Sequence, residues 1–131
     1  VEEKIHEKTE NIIIDLINVG AGGRLVIYKP ENSAMDLAVE KRGDYKKSPI
    51  SLKICVQDVL FKDKGFVRKD FDYAGNFYYV FAYFDLIKQD IEDVIWVVYS
   101  EDFSGLKETD LLRFSVNKED IGQFLLNKFG K

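Results

Sequence analysis

Apolar residues recur at helical spacing at the start of the chain. Ile5, Ile12, Ile13, Leu16 and Ile17 fall largely on one face, while Glu2, Glu3, Lys4, Glu7 and Lys8 take the rest. The spacing predicts an amphipathic helix over residues 2–18. Gly20, Gly22 and Gly23 follow and end it, because glycine takes the left-handed conformations that close a helix. Residues 24–28 (RLVIY) form a short strand, and 29–33 (KPENS) is a turn by composition. In 36–42 Leu37, Val39 and Lys41 alternate with Asp36, Ala38 and Glu40. In 50–57 Ile50, Leu52, Ile54 and Val56 alternate with Ser51, Lys53, Cys55 and Gln57. Both patterns are the two-residue period of strands. Gly43, Asp44, Ser48 and Pro49 place a loop between them that is longer than a tight hairpin turn. Residues 58–75 mix charges with Phe61, Phe66, Phe71 and Tyr73 and read as a long connection, a class that is often functional.

The second half is more apolar. Residues 76–84 (NFYYVFAYF) read as one strand covered on both faces and as the centre of the sheet. Residues 85–93 are a polar turn, 94–99 (VIWVVY) a second buried strand, and Ser100, Glu101 and Asp102 cap a short helix. A further strand is expected over 111–116. The sequence Asn117-Lys-Glu-Asp then opens a final helix in which Ile121, Phe124, Leu125 and Phe129 recur at helical spacing. Helices segregated from strands imply an α+β fold: a mixed central sheet of about six strands flanked by an N-terminal and a C-terminal helix. The aromatic side chains and Trp96 belong to the core by this reading, with base stacking by exposed members of Phe77, Tyr78, Tyr79, Tyr83 and Tyr99 as the alternative.

Composition narrows the function classes. A chain of 131 residues, 46% hydrophobic and 32% charged, suits one globular domain over residues 1–131. No run reaches the length of a membrane span, and the opening VEEKIHEKTE has neither the basic nor the apolar region of a signal peptide. The expectation is a cytoplasmic protein with no membrane partner. Cys55 is the only cysteine, which excludes an intrachain disulfide and a cysteine-based zinc site. His6 is the only histidine, so any Ser-His-Asp or Cys-His chemistry would depend on it. Its plainer reading is a surface residue on an exposed turn of the first helix, on the same face as Glu10. The net charge of −4 argues against strong sequence-independent binding to phosphate backbones. Local basic clusters run against that average: Lys41, Arg42, Lys46 and Lys47 crowd the central turn, and Lys62, Lys64, Arg68 and Lys69 follow the second hairpin strand. They form either a solvated loop or a basic rim for nucleic acid, with Arg42, Lys46 and Lys47 as the candidate contacts.

The order of elements has a further implication. A helix carrying Glu10, a Gly-rich turn, a strand opening on Asp36 and a strand bearing Lys53 resemble the PD-(D/E)xK nuclease superfamily, the restriction-endonuclease-like fold, over roughly the first half of the chain. The resemblance implies a divalent cation, usually Mg²⁺, held by Asp36 and Glu10, with Lys53 orienting or activating the attacking water. It also implies an acid two residues before the lysine. With Lys53 as that lysine, the acid position is Ser51. With Asp36 opposite the region of Cys55, the two positions become Lys53 and Cys55. Neither register gives acid-x-Lys. Glu40 shares a face with Asp36 but lies roughly 13 Å along the strand, too far to join it on one ion. The functional expectation is therefore a nuclease-like domain with a degraded metal site, retained as a nucleic-acid- or protein-associated module with weak or no cleavage. The alternatives are an active Mg²⁺-dependent nuclease with a rearranged site and a non-enzymatic homodimeric interaction domain.

Overall fold

The computed structural model describes residues 2–31, 34–44, 48–56, 76–103 and 113–129. Its first element is α1 (Glu2–Ala21), followed by β1 (Leu25–Tyr28), β2 (Leu37–Lys41), β3 (Ile50–Val56) and β4 (Tyr78–Ala82). Then come β5 (Phe84–Asp85), β6 (Asp90–Ile91), β7 (Val94–Tyr99), α2 (Ser100–Phe103), β8 (Ser115–Asn117), a 3-10 turn (Lys118–Asp120) and α3 (Ile121–Phe129). The fold is α+β, with a six-stranded mixed sheet in the order β1-β2-β3-β4-β7-β8. Neighbouring strands are antiparallel except for the central pair β3–β4. Among the described residues no helix is long and apolar enough to cross a membrane.

Strand alternation gives the sheet two apolar faces. Leu37, Val39, Leu52, Ile54, Val80, Ala82, Ile95 and Val97 point towards α1 and α3, where Ile13, Ile17, Ile121 and Leu125 are fully buried. Cys55, Phe77, Tyr79, Phe81, Trp96 and Val98 form a second cluster on the opposite face. These aromatic side chains are core, as expected, while Tyr78, Tyr83 and Tyr99 are half-buried.

The two long helices meet at glycine. A Cβ on Gly122 would stand 2.6 Å from the Ile17 carbonyl oxygen and 2.7 Å from the Ala21 nitrogen, all backbone. Gly20 faces the same crossing, with Gly122 Cα 3.2 Å from its virtual Cβ. Gly20 is thus a packing residue inside α1 rather than part of its stop. The stop is made by Gly22 and Gly23, at φ 61° and 78°.

Three expected elements differ in detail. The run 76–84 is two strands: β4 ends at Ala82, and Phe84–Asp85 leaves the main sheet to pair with Asp90–Ile91 in a small hairpin. A continuously apolar stretch has no phase to mark such a break. The strand expected over 111–116 begins only at Ser115, with Arg113 and Phe114 in a 3-10 turn and 111–112 outside the described residues. Asp36 stands just before β2 rather than as its first residue. The connection over 58–75, with its basic residues Lys62, Lys64, Arg68 and Lys69, also lies outside the described residues.

Candidate metal centre

Pairing of the central hairpin sets the position of Asp36. Leu37 lies opposite Leu52 and Ala38 opposite Ser51. The Asp36 amide donates to the Leu52 carbonyl at 3.0 Å. The ladder therefore places Asp36 opposite Lys53, not Cys55. Beyond this point the β2 backbone departs and the Asp36 side chain continues the ladder in its place: Oδ2 accepts the Ile54 amide at 2.7 Å. Lys53 Nζ stands 3.6 Å from the same oxygen and donates to the Ala34 carbonyl at 3.0 Å. Oδ2 is thus committed to the protein, whereas Oδ1 is turned towards α1.

From α1, His6 and Glu10 reach the same place, one helical turn apart. Nε2 of His6 bonds the Ile54 carbonyl oxygen at 3.0 Å and lies 3.8 Å from Asp36 Oδ1. Nδ1 lies 3.7 Å from Glu10 Oε2. A single donor atom from each of His6, Glu10 and Asp36 can be chosen so that all three lie within 4.8 Å of one another. The Glu10 side chain is 10% exposed and that of Asp36 15%. Burial, reinforced by the nearby Asp36 carboxylate, pushes the Glu10 carboxyl above its ordinary value, against the smaller opposing pull of His6 and Lys29.

The expected site residues thus separate into two groups. Glu10, Asp36 and Lys53 come together, and they are joined by His6, which periodicity alone makes a surface residue. The visible signal was its four-residue spacing to Glu10. What makes the difference is the free carbonyl of Ile54 at the end of the β2–β3 ladder, which a helix-by-helix reading does not include. Arg42 lies at the opposite end of β2, roughly 20 Å from Asp36 at the usual strand rise, and its Nε donates to the Gly23 carbonyl at 2.9 Å. Lys46 and Lys47 fall outside the described residues. Glu40 accepts a hydrogen bond from the Tyr28 hydroxyl at 3.0 Å and takes no part in the cluster. Ser51, the acid position in one register, faces Ala38. Cys55 is buried in the aromatic cluster on the far face of the sheet.

Two carboxylates and an imidazole suit a divalent cation, and carboxylates alone suit Mg²⁺. Donors on one ion of this kind sit about 3 Å apart, so a cluster whose donors are spread over up to 4.8 Å would have to close by up to about 2 Å. No protein-family model matches the chain, and neither a curated protein nor a solved structure does so.

Proposed function

We propose that this chain is a nuclease-like domain of the PD-(D/E)xK type, in which a divalent-cation site on α1 and the central hairpin is retained while phosphodiester cleavage is weak or absent. The observation that supports the reading is the convergence of Glu10 from the helix and Asp36 from the hairpin, with Lys53 at 3.6 Å from Asp36. A cation held there would lower the pKa of a bound water and neutralise charge on a phosphate. Asp36 and Glu10 supply the negative charge that holds it. In this reading Lys53, 3.6 Å from Asp36, is the cation that would meet a phosphate oxygen. The missing element is the second hairpin acid: Lys53 faces Asp36 and Ser51 faces Ala38. With one hairpin carboxylate instead of two, the charge available to organise an ion and an attacking water is reduced, and this is the reason for proposing weak cleavage. A nucleic acid is the partner in this reading and the cytoplasm its location.

The test is cleavage of labelled single- and double-stranded DNA and RNA in Mg²⁺ and in Mn²⁺, beside Asp36→Asn. Asparagine keeps an oxygen to accept the Ile54 amide while removing the charge, so it separates site loss from unfolding. Slow cleavage that the variant loses supports the reading. Cleavage at equal rates in both proteins would assign the activity to a contaminant. No cleavage together with no affinity for any of these nucleic acids would refute the nucleic-acid role.

A further inference from the structure

The hydrogen bond from His6 to Ile54 fixes more than the position of the ring. A carbonyl oxygen only accepts, so Nε2 carries the proton and, in the neutral imidazole, Nδ1 carries the lone pair. That lone pair stands 3.7 Å from Glu10 Oε2. Glu10 is nine-tenths buried and accepts no hydrogen bond among the described residues. In that tautomer two acceptors face each other at 3.7 Å next to a second carboxylate, an arrangement that either a proton or a metal cation between them can satisfy. Lys53 supplies neither, because it lies against Asp36 Oδ2. The ring N–H held by a backbone carbonyl is also the arrangement that orients metal-binding histidines, fixing the tautomer and leaving the other nitrogen to the ion.

We infer that His6, Glu10 and Asp36 bind one first-row transition divalent cation, with His6 Nδ1 as a ligand, in preference to Mg²⁺. The inference rests on the metal site of the reading above but not on cleavage. Imidazole nitrogen favours ions such as Zn²⁺ and Co²⁺, whereas Mg²⁺ takes oxygen and keeps its waters. Removing His6 should therefore change the choice of ion, not merely the affinity.

The protein is stripped with chelator and titrated calorimetrically with Zn²⁺, Co²⁺ and Mg²⁺ separately, as wild type and as His6→Gln. One equivalent of Zn²⁺ or Co²⁺ is expected, bound at least about tenfold more tightly than Mg²⁺, with that margin lost in His6→Gln. Pulsed electron paramagnetic resonance of Mn²⁺-loaded wild type should show coupling to an imidazole ¹⁴N. Since His6 is the only histidine, the signal needs no variant for its assignment and holds even where His6→Gln folds poorly. Equal affinity for Mg²⁺, binding without nitrogen coupling, or no binding of any ion overturns the inference. Transition-ion binding through nitrogen without cleavage leaves it standing and removes the nuclease reading. Mg²⁺-preferring binding with cleavage does the reverse.

Discussion

Two charge clusters in this fold are built from similar parts and resolved in opposite ways. At the start of the 3-10 turn, Lys118 Nζ lies 2.9 Å from Asp90 Oδ2 and 3.7 Å from Asp93 Oδ1, and it donates to the Ile91 carbonyl at 3.0 Å. One lysine joins the carboxylates of β6 and its turn to the chain leading into α3. At the other cluster Lys53 lies 3.6 Å from Asp36 Oδ2, and Glu10 Oε2 stands 3.7 Å from His6 Nδ1. The protonation preferences follow the geometry. The Lys118 hydrogen bond holds the Asp90 carboxyl below its usual range, whereas burial and Asp36 hold Glu10 above its own. The first cluster is complete within the protein and serves to pin β6 to the 3-10 turn. The second leaves Glu10, its side chain 10% exposed, without a hydrogen bond among the described residues, which is the pattern of a candidate site.

The comparison breaks most completely at the helix crossing on which both clusters depend. α1 carries His6 and Glu10, and α3 follows directly on the turn that carries Lys118. Gly122→Ala would set its methyl against the backbone of Ile17, Ala21 and Gly20, and neither helix can yield without moving its cluster. The expected loss is about 3 kcal/mol, at the upper end for overpacking, measured by denaturant unfolding. A loss below about 1 kcal/mol would mean that the crossing adjusts freely and does not hold the clusters in place.

Asp36 separates its structural part from its charge. Asp36→Ala leaves the buried Ile54 amide without its acceptor and should cost about 2 kcal/mol. Asp36→Asn retains an oxygen in that place and should cost under about 1 kcal/mol. If the two variants unfold at the same denaturant concentration, the Ile54 hydrogen bond contributes nothing and Asp36 is held by other contacts.

What the chain made legible follows the same division. Glu10, Asp36 and Lys53 could be found because each sits where element order and strand alternation put it. His6 could not, because its partner is a carbonyl forty-eight residues away, and helical periodicity reports only which face a residue occupies. The hairpin register stayed open for a related reason: both strands alternate cleanly, and a long polar turn does not count residues. Gly122 gives no signal of its own, since a glycine near the start of a short apolar helix resembles any helix entry. Its reason is the backbone of α1, over a hundred residues earlier. The six-stranded sheet and its two helices were accessible from periodicity, whereas the contacts that bring their ends together were not.

Glu10 gives the comparison its sign. A carboxyl whose pKa is raised on folding binds protons more readily folded than unfolded, so its contribution weakens as pH rises through the unfolded value and on to the folded one. Above that window ionised Glu10 destabilises the metal-free protein. Glu10→Gln should therefore raise stability at neutral pH while weakening Zn²⁺ binding. A variant less stable than wild type across the whole pH range would show that the Glu10 carboxylate is satisfied within the fold, and the contrast with Asp90 would disappear.

The smallest effect belongs to the self-contained cluster, and its pH dependence has the opposite sense at the acid end. Asp90 has a folded pKa below its unfolded one, chiefly through the Lys118 hydrogen bond. Its contribution is present above the unfolded value of about 3.9 and fades as pH falls through the folded value. For Lys118 burial alone would lower the pKa, but the hydrogen bond and charge of Asp90 outweigh it and raise it. That contribution is complete below about 10.4 and fades as pH rises through the folded value. The Asp90 side chain is 46% exposed, so screening limits the pair to under about 1 kcal/mol. A double-mutant cycle on Asp90→Asn and Lys118→Met should return a coupling that is flat between about pH 5 and 9 and declines outside it. Adding Zn²⁺ should leave this coupling unchanged, because the pair has no unsatisfied acceptor to offer an ion. A coupling that shifts with Zn²⁺ would place Asp90 or Asp93 among the ligands and remove the distinction between the two clusters.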